Sequence, residues 1–288
     1  MRHSFKTSAV ALFACLCGMG SLTAQENRLN TNSIMEEKLN LTQEWDKTFP
    51  QSDKVNHSKI TFHNRYGITL AADLYMPKNA TGKLPAIAVS GPFGAVKEQA
   101  SGLYAQELAK RGFLTIAFDP SFTGESGGQP RYVASPDINT EDFSAAVDYL
   151  STRDDVNPEQ LGICGWGGLA INAAAIDTRI KATVAATMYD ISRCTANGYF
   201  DAADNADTRY GMRQMLNAQR TEDYKNGTYA LAGGVVDPLP ADAPQFVKLS
   251  RLLQDGARLP QAFAQLQRRL EQDLESGFPQ CAHSGIQR

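Results

Sequence analysis

Gly162-Ile163-Cys164-Gly165-Trp166-Gly167-Gly168 is the stretch that decides the fold. It joins an apolar run that ends near Cys164 to an alanine-rich run, Leu169 to Ile176. Four glycines in seven residues permit positive φ and close backbone approach, which residues with side chains tolerate poorly. The stretch therefore predicts a strand-to-helix elbow, and chemistry in parallel α/β sheets is found at such elbows.

Three registers of this elbow predict three functions. If Cys164 is the centre of a small-x-nucleophile-x-small turn, its thiol is a nucleophile for acyl transfer. If the strand continues through Cys164, the nucleophile position falls on Gly167, and the elbow has no nucleophile. If Gly165-x-Gly167-x-x-Ala170 is a dinucleotide-binding fingerprint, Asp190 stands where an acid would bind the ribose. The elbow alone leaves all three open.

The composition is that of an ordinary globular protein. The chain has 288 residues, of which 42% are hydrophobic and 20% are charged, enough for the core of one α/β domain. A net charge of −3 and the lack of a long basic run argue against nucleic acid or an anionic membrane as the main partner. A small-molecule substrate is expected, and the oligomeric state is left open.

The first 24 residues are typical of a secretory signal peptide. Arg2 and Lys6 precede an apolar stretch over residues 9–19, and Ala24 offers a small residue for cleavage. The apolar stretch is too short for a permanent membrane span. We therefore expect an exported protein, periplasmic or secreted, with a lipoprotein attached through Cys15 as the alternative.

The cysteine count suggests at least one free thiol. Cys15 and Cys17 lie in the predicted signal peptide, which leaves Cys164, Cys194 and Cys281. An odd number in an exported chain allows at most one disulfide. The spacing fits no zinc pattern, and no metal or organic cofactor is implied.

Strands and helices alternate along the middle of the chain. After a polar arm over residues 25–57, alternating apolar residues predict a hairpin between Ile60 and Leu74. Continuous apolar runs predict buried strands at 84–89, 113–118, before Cys164 and at 182–188, with helices at 96–111, from a cap at Thr140, and at 169–176. This order predicts an α/β fold with a mostly parallel sheet and helices on both faces.

Several loops resemble those of α/β-hydrolases, and of the dienelactone hydrolase branch in particular. They are Ser90-Gly91-Pro92-Phe93-Gly94, Asp119-Pro120-Ser121-Phe122-Thr123-Gly124-Glu125-Ser126-Gly127 and the elbow, in that order, with a helix from Asp142 to Leu150 before the elbow. The resemblance covers about residues 58–248 and implies a hydrolase core at 58–190. The order of these elements also opposes the dinucleotide reading, because its glycines ought to follow the first strand of the sheet.

The resemblance implies roles for three residues. Cys164 would be the nucleophile, and the backbone N–H groups of Phe93 and Gly165 would bind the oxyanion. The branch uses a cysteine nucleophile on an ester, lactone or related carbonyl bond. The alternative for Cys164 is a small buried residue that closes a strand, which would make the protein a catalytically incomplete hydrolase remnant with at most ligand binding.

The last hundred residues depart from the family pattern. Residues 191–248 predict a cap or lid, and residues 249–288 form an atypical helical tail without a buried strand. The family would supply two more strands, so the predicted fold is truncated at its C-terminal strands. His283 is the one histidine after Cys164, and its place in the tail favours a solvated residue over a catalytic base. The change in composition after Lys248 suggests a replaced or out-of-frame tail.

Overall fold

A computed structural model describes residues 37–92, 94–166, 168–186, 188–202 and 204–230. The chain divides into two units, Met1–Glu37 and Lys38–Arg288, and the fold belongs to the second. The predicted signal peptide, Phe93 and the tail with His283 lie outside the described residues.

Six strands form one sheet within the described residues. They are β1 (Val55–His63), β2 (Thr69–Pro77), β3 (Leu84–Ser90), β4 (Leu114–Phe118), β5 (Val156–Trp166) and β6 (Ile180–Ala186). The order across the sheet is β1-β2-β4-β3-β5-β6. The β1-β2 hairpin and the β2-β4 pair are antiparallel, and the three other pairs are parallel. The predicted hairpin and the mostly parallel sheet are confirmed.

The described residues form five α-helices: α1 (Ala100–Ala109), α2 (Pro136–Ser151), α3 (Leu169–Ile176), α4 (Ile191–Asn197) and α5 (Ala206–Asn226). The prediction that Thr140 caps a helix was wrong. The cap of α2 is Ser135, whose side chain accepts a hydrogen bond from the N–H of Ile138, and Pro136 follows at the first helical position. Proline suits that position because its φ is already helical and its missing N–H has no partner to lose. None of the helices in the described segments is long and apolar enough to cross a membrane.

The sheet carries a hydrophobic core on each face. On one face, α1 packs on β3 and β4, and Leu103, Ala105 and Ala109 contribute to the buried cluster there. On the other face, α2 and α3 pack on β5, and the core includes Phe143 and Ala170. The predicted arrangement of helices on both faces is therefore confirmed.

Candidate active site

Cys164 lies inside β5 rather than at a turn. It is paired with Val89 of β3 on one side and with Val184 of β6 on the other, and the strand continues to Trp166. Its side chain belongs to the core beneath α1 and is 4% exposed. This burial raises the pKa of the thiol to about 11, so the thiol is protonated at neutral pH.

The elbow itself falls between Trp166 and Leu169. Gly168 is the cap of α3 and has φ 80°, the left-handed region that glycine enters without strain. A Cβ there would also lie 2.7 Å from the carbonyl oxygen of Tyr189. Of the three registers, the described conformation therefore matches the one in which the strand runs on through Cys164. In this conformation the elbow presents no nucleophile.

Gly165 is buried in β5, opposite Ala185 of β6. A Cβ at this position would lie 2.6 Å from Cζ of Phe143 and 2.9 Å from Cβ of Ala170. The direction in which a side chain at position 165 would point is therefore toward α2 and α3. Because side chains alternate along a strand, the sulfur of Cys164 points to the opposite face, toward α1. The predicted oxyanion donor lies within a strand, three residues before the cap of α3.

Asp190 has a structural role in place of the ribose-binding role that the dinucleotide register implies. Its carboxylate accepts a hydrogen bond from the N–H of Arg193 at 2.9 Å and caps α4. The glycines of the elbow follow β5, which lies beyond β3 in the sheet order. Both observations oppose a dinucleotide site.

A small, mostly apolar pocket opens at the carboxyl ends of β3 and β4. Open α/β sheets bind ligands at this edge. The lining comes from loops after both strands, from α2 and α3, and from the segment that leads into α4: Ser90, Gly91, Gly94, Phe118, Pro120, Thr123, Val133, Asn139, Phe143, Leu169, Tyr189 and Ile191. Cys164 is not among the described residues that line it.

A buried ionic cluster lies beside this edge of the sheet. Its members are Lys59, Lys97, Glu98, Asp119 and Glu125, called the Lys97 cluster below. The Nζ of Lys97 lies 2.8 Å from Oδ2 of Asp119, 2.7 Å from Oε2 of Glu125 and 2.5 Å from Oε1 of Glu98. The side chains of Lys97 and Asp119 are fully buried.

Burial and the neighbouring charges shift the pKa values of Lys97, Asp119 and Glu125. Burial raises the pKa of Glu125, but hydrogen bonds from Lys59 and Lys97 outweigh it and lower the value to about 2. Burial alone would lower the pKa of Lys97. The charges of Asp119 and Glu98 outweigh burial and raise this pKa above its usual value, so the amine stays protonated. Burial raises the pKa of Asp119 to about 6, although the charge of Lys97 opposes this shift. Asp119 and Glu125 therefore both carry negative charge at neutral pH, beside a permanent ammonium ion.

Three carboxylates in this region have the spacing of a cation site. Oxygens of Asp46, Glu98 and Glu125 lie within 4.8 Å of one another. The Nζ of Lys59 lies 3.5 Å from Asp46, 3.6 Å from Glu98 and 2.6 Å from Glu125. The ammonium group of Lys59 therefore supplies the positive charge that these carboxylates need.

A second buried ion pair ties the N-terminal arm to the sheet. The Nζ of Lys47 lies 3.0 Å from Oδ2 of Asp73, and both side chains are fully buried. The other oxygen of Asp73 lies 2.8 Å from Nε2 of His57. Sequence reasoning missed both ionic groups, although acids placed at and near buried strands were an available signal.

The side chains of Cys164, Asp73 and Lys59 lie on one face of the sheet. Register partners form a row from Lys59 through Asp73, Ala117 and Val89 to Cys164. Three strand spacings of about 4.8 Å separate Asp73 from Cys164, roughly 14 Å in total. Among the described residues, no histidine is hydrogen-bonded to Cys164, which is a free thiol. The predicted base, His283, lies outside them.

Comparisons with known proteins agree with the fold. The model of the X-Pro dipeptidyl-peptidase (S15) family matches residues 66–269, well over half of the chain. The chain belongs to the S15 family. A solved structure of the α/β-hydrolase GrgF from a Penicillium species covers 69% of this chain, with a TM-score of 0.56 and 21% identity. The predicted α/β-hydrolase fold is confirmed.

Two relatives of this S15 family member extend the comparison. The uncharacterized protein PA2218 of Pseudomonas aeruginosa is 58% identical over 225 residues, which are 77% of this chain and 59% of PA2218. Its crystal structure has a TM-score of 0.70, with 57% identity, and covers 73% of this chain and 66% of that one. The thiohydrolase aneE of Aspergillus aculeatus is 33% identical over 133 residues, 45% of this chain and 41% of aneE. The chain thus spans about three fifths of PA2218 and less of aneE.

Proposed function

We propose that this protein is a hydrolase that cleaves an ester, lactone or thioester bond with Cys164 as the nucleophile. The observation that carries the proposal is the position of a free thiol on β5, close to the carboxyl edge of the sheet and beside β3. Membership of the S15 family supports hydrolysis. The relative named a thiohydrolase supports a thioester among the substrates.

The proposed reaction has two steps. A base takes the thiol proton, the sulfur of Cys164 bonds to the carbonyl carbon, and the bond from that carbon to the leaving oxygen or sulfur breaks. The leaving group departs with the proton as an alcohol or a thiol. Water then cleaves the acylated cysteine, which releases a carboxylic acid and restores the thiol.

The pocket at the ends of β3 and β4 suits the acyl part of such a substrate. Phe118, Phe143 and Leu169 give it apolar walls, while Ser90 and Asn139 bring polar groups to it. In the described conformation the thiol points to the other face of the sheet. Turnover therefore requires the end of β5 to rearrange so that Cys164 reaches the pocket, and the glycines on both sides of Trp166 allow such a change.

A second candidate is a non-catalytic α/β-hydrolase fold that binds a small apolar ligand in the same pocket. The burial of Cys164, which raises the pKa of its thiol to about 11, favours this candidate. A buried thiol with a raised pKa is a poor nucleophile at neutral pH.

A panel of p-nitrophenyl esters, lactones and acyl thioesters separates the two. Purified protein is compared with Cys164→Ala and with Cys194→Ala, which removes the other described free thiol. The proposal expects turnover that is lost in Cys164→Ala and kept in Cys194→Ala. Equal rates in all three proteins, or rates no higher than in buffer, would support the non-catalytic candidate.

A further inference from the structure

The pocket is shaped by two loops from neighbouring strands. Gly91 and Gly94 belong to the loop that follows β3, and Pro120 and Thr123 belong to the loop that follows β4. Loops without regular structure keep one shape only where other groups hold them. The contacts that hold these two loops therefore decide the shape of the pocket.

Lys97 joins the two loops through both its backbone and its side chain. It stands at the end of the β3 loop, and its N–H donates to Oδ1 of Asp119 at 2.7 Å. Its ammonium group donates to Oδ2 of the same carboxylate at 2.8 Å. A bidentate, charge-assisted contact of this kind fixes orientation as well as distance.

Asp119 in turn organises the β4 loop. Its Oδ2 accepts a hydrogen bond from the N–H of Glu125 at 2.9 Å, and its carbonyl oxygen accepts one from Oγ of Ser126 at 2.7 Å. The loop folds so closely on this carboxylate that a Cβ on Gly124 would lie 2.2 Å from Oδ2. The carboxylate of Glu125 then returns to the ammonium group of Lys97.

We propose that Lys97 is a positioning residue for the substrate pocket, holding the β3 and β4 loops together through Asp119 and Glu125. The inference rests on the proposed function for its effect on turnover. Lys97 does not line the pocket, so it acts through Gly91, Gly94, Pro120 and Thr123. Its loss should weaken binding of the substrate more than it slows the chemical step.

The chain offers a matched control for the general cost of losing a buried lysine. The side chain of Lys47 is also fully buried and also faces a fully buried aspartate, Asp73. Neither residue lines the pocket. Lys97→Met and Lys47→Met each leave a carboxylate without its ammonium partner, but only the first releases the pocket loops.

The test compares kcat and KM for p-nitrophenyl butyrate in the two variants. Hydrogen exchange of the β3 and β4 loops is also followed by mass spectrometry, under conditions in which both variants have the same free energy of unfolding. For Lys97→Met we expect KM to rise about tenfold or more, a smaller change in kcat, and exchange about tenfold faster in both loops. Lys47→Met should stay within about twofold of the native protein in both readouts.

Equal changes in the two variants, or no change in loop exchange, would overturn the inference and leave the cluster a purely stabilising one. If the native protein shows no Cys164-dependent turnover, the proposed function fails, and loop exchange alone decides the positioning role. If Lys97→Met does not fold, Asp119→Asn is measured in the same way against Asp73→Asn, and the same outcomes decide.

Discussion

Substitution of Gly165 by alanine tests the orientation of β5, on which the placement of Cys164 depends. The new Cβ would lie 2.6 Å from Cζ of Phe143 and 2.9 Å from Cβ of Ala170. Carbon atoms in protein cores pack at about 3.5–4.0 Å, so both neighbours would have to move by roughly 1 Å. Phe143 is 3% exposed and Ala170 is 1% exposed, so neither has free space to enter.

The cost of this overpacking is about 1–3 kcal/mol in the free energy of unfolding. For a domain of this size, a loss near the middle of that range lowers Tm by roughly 4–8 °C. Gly211→Ala is the control, because a Cβ at Gly211 in α5 meets no atom within 4 Å. Alanine there should be neutral or should stabilise α5 by about 0.5–1 kcal/mol, since glycine is a poor helix former.

Thermal and urea unfolding followed by circular dichroism measure both variants. A Gly165→Ala protein as stable as the native one would show that position 165 faces open space. Cys164 would then point away from the core beneath α1, and the described orientation of β5 would be wrong.

Three further predictions follow from particular side chains. Because burial raises the pKa of Cys164 to about 11 from 9.0, the described conformation holds about 100-fold less thiolate at pH 7 than free cysteine does. In the absence of substrate, iodoacetamide should therefore alkylate Cys164 about 100-fold more slowly than free cysteine, as mass spectrometry would show. The same raised pKa means that the folded protein binds the thiol proton of Cys164 more tightly than the unfolded chain does. The free energy of unfolding in urea should therefore fall by up to about 3 kcal/mol between pH 9 and 11, a loss that is absent in Cys164→Ala. Ser135→Ala removes the cap of α2 and should cost about 1 kcal/mol in urea unfolding, whereas Ser135→Asp should restore the native value.

The strands of this fold could be predicted because their signals are local. The apolar runs that became β3 and β4 lie between other strands of the sheet and contain no competing helical period. The apolar period over Phe143, Val147 and Leu150 favours a start of α2 near Thr140. The Ser135-Pro136 pair, a cap followed by proline, was the stronger signal for the start.

The end of β5 could not be predicted from the glycine-rich stretch. Glycine is compatible with a strand, a turn or a helix cap, so several registers satisfy the local rules. Pairing with β6 decides among them, because Gly165 and Trp166 lie opposite Ala185 and Ala186. That contact joins residues about twenty positions apart.

Acids at buried strands indicate buried charge, but the partners of those acids could not be predicted from local sequence. Lys97 meets Asp119, and Lys47 meets Asp73, across 22 and 26 positions of sequence. Lysine is almost never fully buried unless it is paired, so sequence reasoning treats each lysine as a surface residue. Only the folded sheet brings the partners together.

Covalent trapping tests the central claim, that Cys164 is the acyl acceptor, most directly. The protein is mixed with a butyryl thioester, quenched in acid within seconds and digested, and its peptides are measured by mass spectrometry. We predict a butyryl group on the peptide that carries Cys164, appearing faster than product is released and absent from Cys164→Ala. A protein that hydrolyses the thioester while this peptide stays unmodified, and that keeps its activity in Cys164→Ala, would contradict the claim.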